Sequence, residues 1–228
     1  MTGAAEDIFF QLDAEEILNR INSGEAPDEE EVEAIVATLE LVKVERDYVR
    51  GDTGTITLGS GKLAQVRMPG VDETYSLIKV MGRANLKDHR GVLESFLKHE
   101  DPLTVSLVME ILCLNWELTE DYLEQVVNFA LGVAWDEEYD VADTAIRVLG
   151  EFLASGKKSG PEAPQVKKLI SELFEDKKSD HWIRQRCYFS MLRASGKAWE
   201  EIPSECCLIE FSRDNSEVQW SVIDRFKE

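Results

Sequence analysis

Histidine is almost absent from this chain: His89, His99 and His181 are the only three in 228 residues. None belongs to an H-E-x-x-H pair or stands with a paired C-x-x-C, the spacings that bring zinc ligands together, so the sequence carries no metal-site motif. Cysteine is scarce as well. Cys113, Cys187, Cys206 and Cys207 lack framework spacing, and the adjacent Cys206 and Cys207 are poorly placed to bond each other, so reduced thiols in a cytosolic protein are expected. No apolar run approaches the ~20 residues of a membrane span. The first residues, MTGAAEDIFF, are acidic and lack the basic region and apolar stretch of a secretory leader. The expected location is the cytoplasm.

Positive charge is the third shortage. Twenty-five Lys and Arg face 45 Asp and Glu, a net charge of −20. Such a surface repels nucleic acid and anionic membranes and attracts basic proteins. The excess is concentrated. Residues 1–50 carry fourteen acids against four basic side chains, and residues 101–151 carry twelve against Arg147 alone. Residues 51–100 and 152–228 are close to balanced.

Sequences that look catalytic fail on inspection. Residues 51–70, GDTGTITLGSGKLAQVRMPG, contain Gly61-Lys62, but a phosphate-binding loop would need glycine at Ile56 and a hydroxyl at Leu63. Threonine and β-branched residues on both sides of Gly59-Ser60-Gly61 instead predict a β-hairpin packed on neighbouring helices. Ser179-Asp180-His181 has triad letters without the spatial alignment a triad needs. The acidic turn Asp136–Asp140 lacks the glycine and terminal glutamate of an EF-hand loop. No cofactor is expected.

What is present is helical periodicity. Asp13 caps a short helix carrying Ile17, Leu18 and Ile21. Pro27-Asp28 opens a longer one with Val32, Ile35, Val36, Leu39, Val42 and Val49, ended by Gly51. From residue 72 the chain repeats an apolar helix, an acidic turn and a second apolar helix, with turns at Glu100–Pro102, Asp136–Asp140, Asp176–Asp180 and Asp214. A period of about forty residues predicts stacked helical hairpins.

These repeats resemble HEAT repeats. The clearest copy is Asp180-His181-Trp182-Ile183-Arg184, with Cys187 at the small-residue position and Gly196 closing the helix. Ala145, Ile146, Leu149 and Gly156 fill the matching places one copy earlier. The resemblance implies an all-α fold: an α-solenoid of HEAT-like hairpins over residues 72–228. Residues 1–71 would form an N-terminal helical cap with one small β-hairpin insertion at 51–70.

Such a scaffold offers an extended surface for gripping another protein. The residues expected to bind are Trp116, Trp135, Asp136, Glu137, Glu138, Tyr139, Asp140 and Asp143, because aromatic anchors ringed by acids suit a basic partner. Trp182 reads as core or turn packing. In size, charge and lack of a catalytic motif the chain resembles HEAT-like immunity proteins of contact-dependent or polymorphic toxin systems. That resemblance implies a monomeric, non-catalytic inhibitor of a basic, nuclease-like toxin domain, binding neither nucleic acid nor membrane. A general scaffold or adaptor remains open, as does a repeat-fold lyase, which would need a deep pocket lined by Cys187 or His181.

Overall fold

Local chemistry sets the helix starts. Asp13 Oδ1 accepts the Glu16 N–H (3.0 Å) and opens α1, Ala14–Asn22. Ahead of α2, Glu29–Val44, Asp28 and Glu31 cap each other: the Glu31 N–H donates to Asp28 Oδ1 (2.8 Å) and the Asp28 N–H to Glu31 Oε2 (3.0 Å). The computed structural model describes residues 8–10, 12–44, 53–58, 61, 63–155, 160–203 and 208–227. Val49, Gly51, Gly59, Ser60, Lys62, Gly156, Cys206 and Cys207 lie outside the described residues. The chain divides into two compact units, residues 1–99 and 100–228.

The first unit contains α1, α2, α3 (Val71–Arg83), α4 (Arg90–Phe96) and a small sheet. The expected hairpin is there: β2 (Thr53–Thr57) runs antiparallel to β3 (Leu63–Arg67), with Ile56 opposite Ala64. Its alternation buries Ile56, Ala64 and Val66, with Leu58, against Ala34, Ala37 and Leu41 of α2, which meets the need of a two-stranded hairpin for a second layer. A third strand, β1 (Ile8–Phe10), pairs parallel with β3 and makes the order β1-β3-β2. No sequence signal anticipated β1.

The second unit begins with α5 (Pro102–Met109), capped by Asp101 Oδ2 accepting the Thr104 N–H (2.8 Å), with Pro102 at the first turn where its missing N–H costs nothing. It runs on into a π-helical segment, Glu110–Asn115. Then come α6 (Thr119–Ala130), α7 (Asp140–Ala154), α8 (Ala163–Glu175), α9 (His181–Ala194) and α10 (Trp220–Phe226). The centre is α7, which packs on α5, α6, α8 and α9.

The α7–α9 contact has a readable register. Arg186 Nε donates to Asp143 Oδ1 (2.7 Å), Ser190 Oγ to the Ile146 carbonyl (3.0 Å) and Arg193 Nε to Glu151 Oε1 (2.8 Å). Their sequence separations, 43, 44 and 42 residues, stay nearly constant along both helices, so α7 and α9 run parallel. Gly150 permits the approach: a Cβ there would meet Ser190 Cβ at 2.7 Å and its Cα at 2.9 Å. One helix earlier, Arg147 of α7 pairs with Glu110 of the π segment, 37 residues away.

The fourth predicted helical pair is only half formed. Residues 208–212 are not helical. There the Ile209 N–H donates to the buried Gln185 Oε1 (2.9 Å), and the Phe211 ring meets Phe174 at 5.1 Å and Tyr188 at 5.6 Å edge-on. The Ser212 N–H turns back to the Glu210 carbonyl (3.0 Å), and the Glu210 carbonyl also accepts from Asn215 Nδ2 (2.8 Å), so the segment forms turns rather than a helix. Gly196, at φ +102°, closes α9 as expected: the Lys197 N–H reaches back to the Leu192 carbonyl (3.3 Å).

Candidate functional site

The turn between α6 and α7, residues 131–139, is built around a buried carboxylate. Asp136 is 4 % exposed, and its Oδ2 accepts the N–H groups of Val141 and Ala142, both at 3.0 Å. It therefore does the work of an N-cap from four residues before the helix. Among the described residues Asp136 pairs with no cation, and its Oδ1 is buried without a hydrogen-bond partner. Tyr139 occupies the N-cap position itself at φ 64°, ψ 22°, and its side chain is 44 % exposed.

The eight residues expected to bind a partner fall into distinct environments. Two are corrected to the interior: Trp116, which caps the end of the π segment, is 2 % exposed, and Asp136 is the cap just described. Neither offers a surface. Trp135 is half-buried and stands edge-on to Phe129, ring centroids 6.5 Å apart at 75°. Asp143 is committed to Arg186. Glu137, Glu138, Tyr139 and Asp140 remain exposed, and among the described residues none of the three carboxylates has a cationic partner. Partial desolvation, and then the fields of Asp136, Glu138 and Asp143, raise the Asp140 carboxyl above the ordinary aspartate range.

Trp182, read as core or turn packing, is not in the core. It is 50 % exposed. Asp180 Oδ1 accepts the Trp182 N–H (2.8 Å) and starts α9, which leaves the indole at the helix edge. It stands 43 residues after Tyr139, the same separation as the Asp143–Arg186 pair. In parallel helices that register sets Tyr139, before the first residue of α7, and Trp182, in the first turn of α9, at the same end of neighbours whose axes are typically about 8–10 Å apart. The spacing was visible in the sequence and marks the aromatic that side-chain type alone concealed. The acidity is uneven along this edge, since the α9 turn carries exposed Lys177 and Lys178 beside Asp176.

Both cysteines among the described residues are buried. Burial pushes the Cys113 thiol up to about 12 and raises that of the fully buried Cys187, with the Asp143 carboxylate adding to it. Both thiols are protonated at neutral pH and unreactive. Asp180 is used as a cap, and the His181 ring packs 5.8 Å from Phe211. Among the described residues no three His, Cys, Asp or Glu side chains are placed to hold a metal ion, and no helix is long and apolar enough to cross a membrane.

Comparison with protein-family models, curated proteins and solved structures gives no match to this chain. The functional reading therefore rests on the geometry. A half-exposed tyrosine and tryptophan at the starts of α7 and α9, with unpaired carboxylates beside the first, can accept arginine or lysine side chains through cation–π and ionic contacts. The cavities at Leu153–Phe226 and at Cys113–Phe152 are lined by neither Cys187 nor His181.

Proposed function

We propose that this chain is a non-catalytic binding protein that grips a basic protein with the turn before α7, and that its helices stack as a HEAT-like α-solenoid. The stacking reading is supported by the ion pairs and hydrogen bonds that link one helix to the next but one at separations of 37 to 44 residues. That recurrence is what repeated hairpins produce.

The binding reading is carried by Tyr139. A bulky residue at positive φ costs on the order of 1–3 kcal/mol, and glycine would hold the same turn without that strain. Burial repays the ring only in part, since it is 44 % exposed and flanked in sequence by exposed Glu137, Glu138 and Asp140. An exposed aromatic anchor with uncompensated acids around it is what a basic partner needs: charge speeds encounter and the ring supplies the buried contact. The partner class that fits is a basic, nuclease-like toxin domain, held inactive by an acidic cytoplasmic immunity protein.

The test is capture from a lysate of the source organism, followed by expression of what is retained. The expected result is a basic protein that arrests growth alone and is harmless when co-expressed with this chain. The triple variant Glu137→Lys, Glu138→Lys, Asp140→Lys should lose both capture and protection, by two orders of magnitude or more in affinity, on the order of 3 kcal/mol. Equal protection by the variant, or retention of a housekeeping complex only, overturns the immunity reading. Retention of nothing overturns binding altogether.

The raised Asp140 carboxyl sets a pH dependence. Its folded-state value lies above its unfolded one, so ionised Asp140 opposes folding: its contribution falls as pH rises through its titration and recovers below it. Binding runs the other way, because a cationic partner needs the carboxylate. Affinity for a lysine-rich peptide should weaken as pH falls, beginning above the ~3.9 of an ordinary aspartate. Asp140→Asn should raise the melting temperature at neutral pH and flatten that acid limb. An unchanged limb in calorimetric titration would remove Asp140 from the interface.

A further inference from the structure

On the other side of the chemistry from the acidic turn, one cavity gathers positive charge. It has a volume of about 490 Å³, inside the usual range for small-ligand sites, and is half open to solvent. Its apolar wall is Leu153, Ala194, Val222 and Phe226, all buried residues that turn one face to it. Lys167 of α8, Lys197 just after α9 and Arg225 of α10 line the same space. The Lys167 ammonium lies over the Phe226 ring, 5.7 Å from its centroid, and Arg225 Nε donates to the Ser221 carbonyl (3.1 Å). Among the described residues none of these three cations has a carboxylate partner. The acid lining the cavity, Glu201, uses Oε2 to accept the Ala198 N–H (2.8 Å).

In a chain of net charge −20, three unpaired cations around one cavity call for an explanation. Helix dipoles account for part of it. Lys197 follows the last turn of α9 and Arg225 lies in the last turn of α10, where cations are favoured. Lys167 lies in the middle of α8 and has no such reason to be there. Three separate elements bring their cations to one apolar-walled space.

We propose that this cavity binds a small amphipathic anion: a carboxylate or phosphate group held by Lys167, Lys197 and Arg225, on a flat apolar body laid against Phe226 and Val222. The site is independent of the acidic turn, and its test does not depend on the proposed partner.

Titration of the isotopically labelled full chain with phenyl phosphate, phenylacetate, benzyl alcohol and inorganic phosphate tests it by nuclear magnetic resonance. Phenyl phosphate or phenylacetate should shift the amides of Gly196, Gln219 and Val222, and the tighter of the two identifies the head group. Lys167→Gln with Lys197→Gln should weaken binding about tenfold or more, as expected for losing charge-assisted hydrogen bonds. Arg225→Gln, at an exposed position, gives a second variant if the first spectrum is not that of the folded chain. Lys168→Gln, whose ammonium is solvent-exposed and pairs with Glu172 on α8, should leave binding unchanged. Four results would each overturn the proposal: no shift at millimolar ligand, equal binding of benzyl alcohol, equal binding of inorganic phosphate, or unchanged affinity in both charge variants.

Discussion

Gly150→Ala should destabilise the protein by about 1–3 kcal/mol although alanine is the better helix former. In open helix the same exchange gains up to ~1 kcal/mol, mostly from the unfolded chain. At Gly150 the new methyl would lie 2.7 Å from Ser190 Cβ and Oγ and 2.9 Å from the Ser190 Cα. A rotamer change relieves the Oγ contact but not the Cα one, so α7 and α9 must move apart. Arg186–Asp143 on one side and Arg193–Glu151 on the other resist that movement. Gly91 is the control: in α4, a Cβ there meets nothing within 4 Å, so Gly91→Ala should stabilise. The two substitutions should shift the urea midpoint in opposite directions. Stabilisation by Gly150→Ala would show that the helices do not approach in this register, and the alignment of Tyr139 with Trp182 would fall with it.

Tyr139→Gly separates stability from binding. Removing the side chain relieves φ 64°, a gain of ~1–2 kcal/mol that the greater entropy of unfolded glycine partly offsets. The melting temperature should therefore hold or rise. Affinity for the captured basic partner should fall at least ~30-fold, about 2 kcal/mol, the scale of an aromatic anchor. Tyr139→Phe should keep most of the affinity, since a cation–π contact of the kind proposed uses the ring face rather than the hydroxyl. A structural tyrosine would behave differently: its removal would lower stability and leave binding to correctly folded protein intact. Trp182→Ala extends the same measurement to the second ring.

Much of the fold was legible because its signals are local. Asp13, Asp28 and Gly196 act within three to five residues of themselves, and residue type beside a helical period names them. The hairpin was legible for the same reason, since its strands are five residues apart in sequence and alternate cleanly. Strand β1 was not: three residues carry no period, and their partner β3 lies more than fifty residues on. The π-helical turns at Glu110–Asn115 were hidden too, because Glu-Ile-Leu-Cys-Leu-Asn satisfies an ordinary helix pattern.

The candidate site divides along the same line. Sequence determined that residues 136–140 form an acidic turn with an aromatic in it, because charge and periodicity are properties of the chain itself. Only the tertiary structure decided which of those groups face water. Asp136 turns inward because two orphan N–H groups of α7 need an acceptor, and Trp116, at the end of the π segment, is covered almost completely. Trp182 is half exposed in the first turn of α9, which Asp180 caps. Burial of a side chain is set by what packs over it, and that is a property of distant residues meeting, which no stretch of sequence contains.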